Sequence, residues 1–160
     1  MKLESVSITI PEGCNVIIGH THFIKSVEDL YEALVESGTA LKFGIAFCEA
    51  SQECLVRSDG NDEELIKHAE KEALKIGAGH TFVIFLKEGY PVNVLNRIKN
   101  VSEVCSVYTA TANPVEIVYV DTEHGRAILG LADGMRPAGI EKNEDKEKRK
   151  EFLRKIGYKR

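Results

Sequence analysis

The chain has 160 residues, 43% hydrophobic and 29% charged, and its 21 Lys and Arg against 25 Asp and Glu leave a net charge of −4. That length suits one domain with a real apolar core, and the balance excludes a disordered chain. A mildly acidic protein has no global field to draw duplex nucleic acid or an anionic membrane, so any anionic ligand must be held by a local site.

Taken in chain order, Val6, Ile8 and Ile10 alternate with Ser5, Ser7 and Thr9, which predicts a half-buried strand ended by Pro11-Glu12-Gly13. Asn15 to Gly19 reads as a second strand, placed to form a hairpin with the first. Ser26 is expected to cap a helix, with Asp29 completing a capping box, Val27, Leu30, Tyr31, Leu34 and Val35 on one face, and Gly38 at its end. Leu41, Phe43, Ile45 and Phe47 form the large face of a strand whose other face is mostly small. Cys54 to Arg57 is a short strand, Ser58 to Asp62 a turn and N-cap, and the next helix points Leu65, Ile66, Ala69, Ala73 and Ile76 inward before Gly77.

Thr81 to Leu86 is a nearly continuous apolar run, as expected of a central strand covered on both faces. Pro91 opens a short helix with Val92, Leu95 and Ile98; strands follow at Val104 to Thr109, Val115 to Val120 and Ala127 to Leu131. A charged helix from about Asn143 to Ile156 closes the chain, with only Phe152, Leu153 and Ile156 to dock it. No repeat or linker divides residues 1–160, so the expectation is one compact α/β domain, a mixed β-sheet covered by helices. No apolar h-region opens the chain and no run approaches the roughly 18 apolar residues of a bilayer span, so a soluble, cytoplasmic protein is expected. Cys14, Cys48, Cys54 and Cys105 form no C-x-x-C pair, and Cys48 and Cys105 lie in apolar runs; they read as reduced thiols rather than disulfide or zinc ligands. The abundance of Glu and Lys fits a thermophile.

Five histidines are candidates for chemistry. His68, in a charged helix, and His124, in a turn, read as surface residues. His20 and His22 flank Thr21 before the first helix, where polar side chains commonly just bond free backbone groups. His80 follows Gly77-Ala78-Gly79 and opens the most apolar strand. The glycines let the backbone turn and approach a ligand. A neutral imidazole there can act as base, nucleophile or phosphoryl acceptor; the alternative is a core histidine bonded to a carbonyl.

Polar residues gather where strands end: Glu49-Ala50-Ser51, Gly60-Asn61-Asp62, Thr109-Ala110-Thr111-Ala112-Asn113-Pro114 and Ala132-Asp133-Gly134. In open α/β sheets ligands bind beyond strand ends, although each cluster also reads as turn chemistry. Lys42, on the small face of its strand, is read either as a partly buried cation facing Glu49 or a phosphate, or as an edge-strand lysine. P-loop, protein-kinase, G-x-S-x-G and H-E-x-x-H motifs are absent, and Phe82 stands where a dinucleotide fingerprint needs its third glycine.

The strings Thr21-His22-Phe23-Ile24-Lys25, Val27-Glu28-Asp29-Leu30-Tyr31, Lys42 through Ser51, Gly60-Asn61-Asp62, Gly77 through Phe82, Pro91 through Leu95 and Ala110 through Pro114 together resemble the adenosine-specific kinase family, over nearly the whole chain to Ile156-Gly157-Tyr158-Lys159. The resemblance implies a compact α/β fold, a homo-oligomer (a trimer), binding of adenosine, AMP or ATP, and a stable phosphohistidine. On this basis His80, with His22 in reserve, is expected to carry phosphate, and Lys42, Glu49, Asn61, Asp62, Asn93, Thr109, Thr111 and Asn113 to contact nucleotide. Lys42 would neutralise phosphate while Glu49 or Asp62 holds Mg²⁺ or orients a hydroxyl. One alternative is a non-catalytic adenine-nucleotide sensor. A metal-dependent hydrolase using His22, His80 and Asp133 ranks last, because no ligand pair has helical metal-site spacing.

Overall fold

Alternation in Leu3–Ile8 produces the first strand, β1, but its partner is not the segment that follows. Pro11 to Cys14 form a turn closed by the Cys14 N–H on the Pro11 carbonyl (3.1 Å), and β2 (Asn15–Thr21) then enters a different sheet. The expected hairpin between the first two strands therefore does not form. The computed structural model describes residues 2–160, and the remaining elements are α1 (Ser26–Val35), β3 (Lys42–Cys48), β4 (Val56–Gly60), α2 (Glu63–Ile76), β5 (Thr81–Lys87), α3 (Pro91–Lys99), β6 (Val104–Thr111), β7 (Val115–Asp121), β8 (Arg126–Asp133) and α4 (Asn143–Lys155).

The strands divide into a five-stranded sheet, order β4-β3-β5-β2-β6, and a three-stranded sheet, order β1-β7-β8. Every pairing is antiparallel. The α/β architecture with helices over a sheet is as expected. The antiparallel pairing removes the rule that ligands sit at the carboxyl ends of parallel strands, and both rims of the larger sheet become possible sites. β5 lies in the middle, and Thr81 to Leu86 are all buried, as a strand covered on both faces requires.

The large face of β3 (Phe43, Ile45 and Phe47) packs with Phe82, Ile84 and Leu86 beneath Leu30 and Leu34 of α1 and Val94 and Ile98 of α3. Its small face receives Leu65, Ala69, Ala73 and Ile76 of α2, beside Ile8, Val115 and Ile117 of the smaller sheet. Gly44 sets how closely α2 sits, since a Cβ there would lie 2.2 Å from the Leu65 carbonyl carbon.

Local signals succeed or fail for identifiable reasons. Asp62 caps α2 by accepting from the Leu65 N–H (3.0 Å), and Gly77 ends it in the left-handed region (φ 62°). Ser26 does not cap α1. Its hydroxyl is buried and turns back to the His22 and Phe23 carbonyls (2.7 and 2.8 Å), while Glu36, right-handed at φ −72°, ends the helix ahead of Gly38. Ser58 to Gly60 belong to β4 rather than to a turn, paired with Gly44 to Ala46. In α3 the buried residues are Val94 and Ile98, and Val92 is exposed. His68 is not a free surface side chain: Nε2 lies 2.6 Å from the Thr9 carbonyl oxygen and the ring meets Phe85 edge-on.

The four cysteines are unpaired, and Cys105, expected inside, is exposed. α4 buries no residue. Among the described residues no helix is long and apolar enough to cross a membrane.

The contact at Gly44 gives a direct check. Gly44→Ala should destabilise the protein by about 2–3 kcal/mol, read from the urea midpoint, because a methyl group must displace the backbone of α2. An unchanged midpoint would show that α2 is not seated on this glycine.

Candidate functional site

At the mouth of β5 the chain leaves α2 through Gly77, buries Ala78, and brings Gly79 so close to Ala50 that an added Cβ would lie 2.9 Å from that residue's own Cβ. His80 follows in the left-handed region at φ 62°, where a non-glycine residue is strained by roughly 1–3 kcal/mol. Two backbone bonds hold it there. Its N–H donates to the Cys48 carbonyl (2.8 Å) and its carbonyl accepts from the Thr21 N–H (2.9 Å). The imidazole is half-buried and lies parallel to the Phe47 ring, with centroids 6.0 Å apart and planes inclined by 11°.

β2 brings a second histidine beside it. The His20 and His80 centroids are 5.8 Å apart, inclined by 50°. The register of β2 against β6 shifts at Ile18/Gly19 and again at His20/Thr21, a double irregularity that re-aims side chains at the strand end. His20 is half-buried; desolvation, reinforced by the neighbouring charges of His80 and His22, holds its imidazole below its ordinary value. His22 is exposed and tied by its N–H to the Glu103 carbonyl (3.0 Å).

Across the rim, Glu49 pairs with Arg57 and accepts from the Leu55 N–H (3.2 Å). The backbone donor and the Arg57 guanidinium keep the Glu49 carboxyl below the usual carboxylate range. Arg57 also reaches the Ile24 carbonyl (3.4 Å). Sequence reading passed over Arg57. It stands directly opposite Phe47 across the β3–β4 ladder, a pairing that the sequence alone does not display.

Phe23, Ile24, Phe47, Glu49, Arg57 and His80 line a cavity of about 310 Å³. A second cavity, about 490 Å³, lies beyond Glu49 and Ala50, with Cys48 and Cys54 in its wall. Burial pushes the Cys48 thiol up to about 11, so Cys48 is no thiolate nucleophile. Four of the five non-glycine residues with positive φ (Phe23, Gln52, Cys54 and His80) belong to the walls of these two cavities. Strained backbone gathered in this way marks a place where surrounding structure over-determines the chain.

The other expected ligand residues lie elsewhere. Lys42 pairs with Lys87 at the far end of β3, exposed and in no ion pair among the described residues, so the partly buried reading fails. Six residues of strand separate that end from Cys48 beside His80, about 20 Å of rise. Asn61 is wholly engaged in fastening β3, accepting from the Phe43 N–H and donating to the Leu41 carbonyl, both at 2.8 Å. Asp62 caps α2, and Asn93 accepts from the Tyr90 N–H (2.8 Å) and donates to the Tyr158 hydroxyl (3.2 Å). Thr109 donates to Asp133, Asn113 donates to Asp133 at 3.3 Å, and Thr111 accepts from the Asn113 N–H at 3.0 Å, a network at the β6–β7 corner. The structure thus brings His20, His22 and Glu49 around His80, and leaves Lys42, Asn61, Asp62, Asn93, Thr109, Thr111 and Asn113 outside the lining of the His80 cavity.

Neither carboxylate named for Mg²⁺ suits it. Both Glu49 oxygens are engaged, and Asp62 caps a helix at the other rim. Among the described residues no group of three or more His, Cys, Asp or Glu is placed to hold a metal ion.

The family profile described as adenosine specific kinase matches residues 6–159. Among solved structures, the PH1918 protein from Pyrococcus horikoshii OT3 is similar, with 48% identity and a TM-score of 0.94 over 99% of this chain and 98% of that one. Comparison with curated proteins gives no match.

Because His20 titrates below its ordinary 6.5 when folded, the unfolded chain binds that proton first as pH falls. Stability contributed by the neutral ring is whole above about 6.5 and is lost between there and the lower folded value. Urea unfolding at about pH 8 and about pH 5 should therefore show a smaller loss for His20→Asn than for wild type; equal losses would contradict the burial of a neutral His20.

Proposed function

The chain belongs to the adenosine-specific kinase family, and from that premise we propose that it binds adenosine or an adenine nucleotide at the histidine rim of the larger sheet and transfers phosphate through His80. The observation that carries this reading is the position of His80, pinned by two backbone bonds at the mouth of a cavity of about 310 Å³. A nucleophile held in one geometry saves much of the entropy of bringing the reacting atoms together.

The His80 ring nitrogen attacks the terminal phosphorus of ATP, the P–O bond breaks and ADP leaves, and the phosphoryl group then passes from His80 to the 5′-hydroxyl of adenosine, giving AMP and the free imidazole. Arg57 supplies positive charge at the rim, and a phosphate arriving there competes with Glu49 for it. Phe23, Ile24 and Phe47 offer apolar surface for an adenine ring. His22 is the reserve acceptor, on the same rim and exposed. No step runs through a protein-bound Mg²⁺.

The assembly proposed with this activity is a homotrimer. Apolar Phe23, Ile24 and Leu55, each more than half exposed, stand around the rim, and α4 is without buried residues in the single chain. The unpaired cysteines fit a reducing, cytoplasmic setting.

Labelled ATP provides the test. Wild type should take up acid-labile label, and His80→Ala should lose it by about 100-fold or more while still folding. Unchanged labelling in the variant would remove His80 from the role. Tight binding of adenosine with neither label nor AMP would favour the non-catalytic sensor.

A further inference from the structure

We infer that His20 accepts the ring proton that His80 must release as it takes up phosphate. This rests on the reading of His80 as phosphoryl acceptor and adds a residue to it.

The argument begins with the ring chemistry. A neutral imidazole attacks phosphorus through its unprotonated nitrogen. The N–P bond forms, the P–O bond breaks, and its electron pair leaves on the nucleoside diphosphate. The ring is then an imidazolium still carrying N–H on its other nitrogen. Losing that proton leaves the N–H electron pair on the ring and gives neutral phosphoimidazole, which no longer has an activated nitrogen–phosphorus bond. A neighbouring base that takes this proton speeds formation of the neutral phosphohistidine.

Three independent features point to His20 as that base. The ring centroids are 5.8 Å apart and tilted, a separation that a proton can cross directly or through one bridging water. The two register shifts of β2 against β6 fall on either side of His20 and turn this one strand end toward His80. Of the other groups on this rim, Glu49 is held in the free protein by Arg57 and the Leu55 N–H, His22 is exposed to solvent, and the residues opposite His20 on the flanking strands, Thr81 and Ser106, are uncharged, which leaves His20 as the half-buried base beside His80. The charges facing His20 are those of His22 and His80, and burial favours the neutral form of its ring, which carries an unprotonated nitrogen.

The experiment follows the rate of label uptake on His80 from labelled ATP in wild type, His20→Ala and His20→Asn, with nucleotide affinity measured in parallel. Both variants should slow by about 100-fold with affinity unchanged. Added imidazole should restore His20→Ala in proportion to its free-base concentration, a response that loss of packing alone would not give. A wild-type rate in either variant overturns the proposal, and so does a slow His20→Ala that imidazole leaves slow. Should His20→Ala fail to fold, His20→Asn decides by its rate. Absence of label on His80 in wild type would overturn the phosphoryl-acceptor reading and this inference with it; label on His80 with indifferent His20 variants overturns this inference alone.

Discussion

Two backbone hydrogen bonds at His80 join the mouth of the central strand to the chain on either side, one to Cys48 at the end of β3 and one from Thr21 at the end of β2. They hold a non-glycine residue in the left-handed region, a conformation that does not persist unless its surroundings impose it. The surroundings here are the least yielding part of the molecule. β5 is fully buried along six residues, Gly79 abuts Ala50, and α2 is drawn onto the sheet by Gly44. The imidazole consequently projects from a rigid frame into a cavity, stacked on Phe47 and facing His20.

The loops around this frame are strained as well. Phe23, Gln52 and Cys54 adopt positive φ within short connections that border the cavities, and Phe23 and Ile24 expose apolar side chains there. The opposite rim has one such residue, Glu88 at φ 58° beside Lys87. Its polar residues are spent on structure: Asn61 brackets β3, Asp62 caps α2, and Asn93 fastens the start of α3 and the Tyr158 hydroxyl. Electrostatics separates the rims too, since the histidine rim has a paired carboxylate and guanidinium while Lys42 and Lys87 face one another at the other.

Much of this was legible in the sequence where the signal is local. The apolar run from Thr81 to Leu86 announced the central strand, Asp62 and Gly77 bounded α2, and the glycines before His80 marked it out. What failed depended on distant partners. β1 pairs with β7 rather than with its neighbour, a choice set by which apolar face needs covering. Lys42 was placed correctly on the small face of β3, but only the register shows that it stands at the strand's exposed start beside Lys87, away from His80. Asn61, Asn93 and Thr109 looked like ligands because amide and hydroxyl groups serve ligands and backbone equally well. The nearness of His20 to His80 could not be read from one sequence, because it depends on register shifts of β2 against β6. Arg57 was missed because its importance comes from the residue across the ladder.

The central claim is that the ligand occupies the histidine rim rather than the Lys42 rim. A crystal structure of the protein with adenosine or AMP bound tests it most directly. The account predicts density between Phe47, Arg57 and His80, with the phosphate or the 5′ oxygen turned toward the imidazole. Density beside Lys42, Asn61 and Asn93, with the cavity at His80 unchanged, would contradict it.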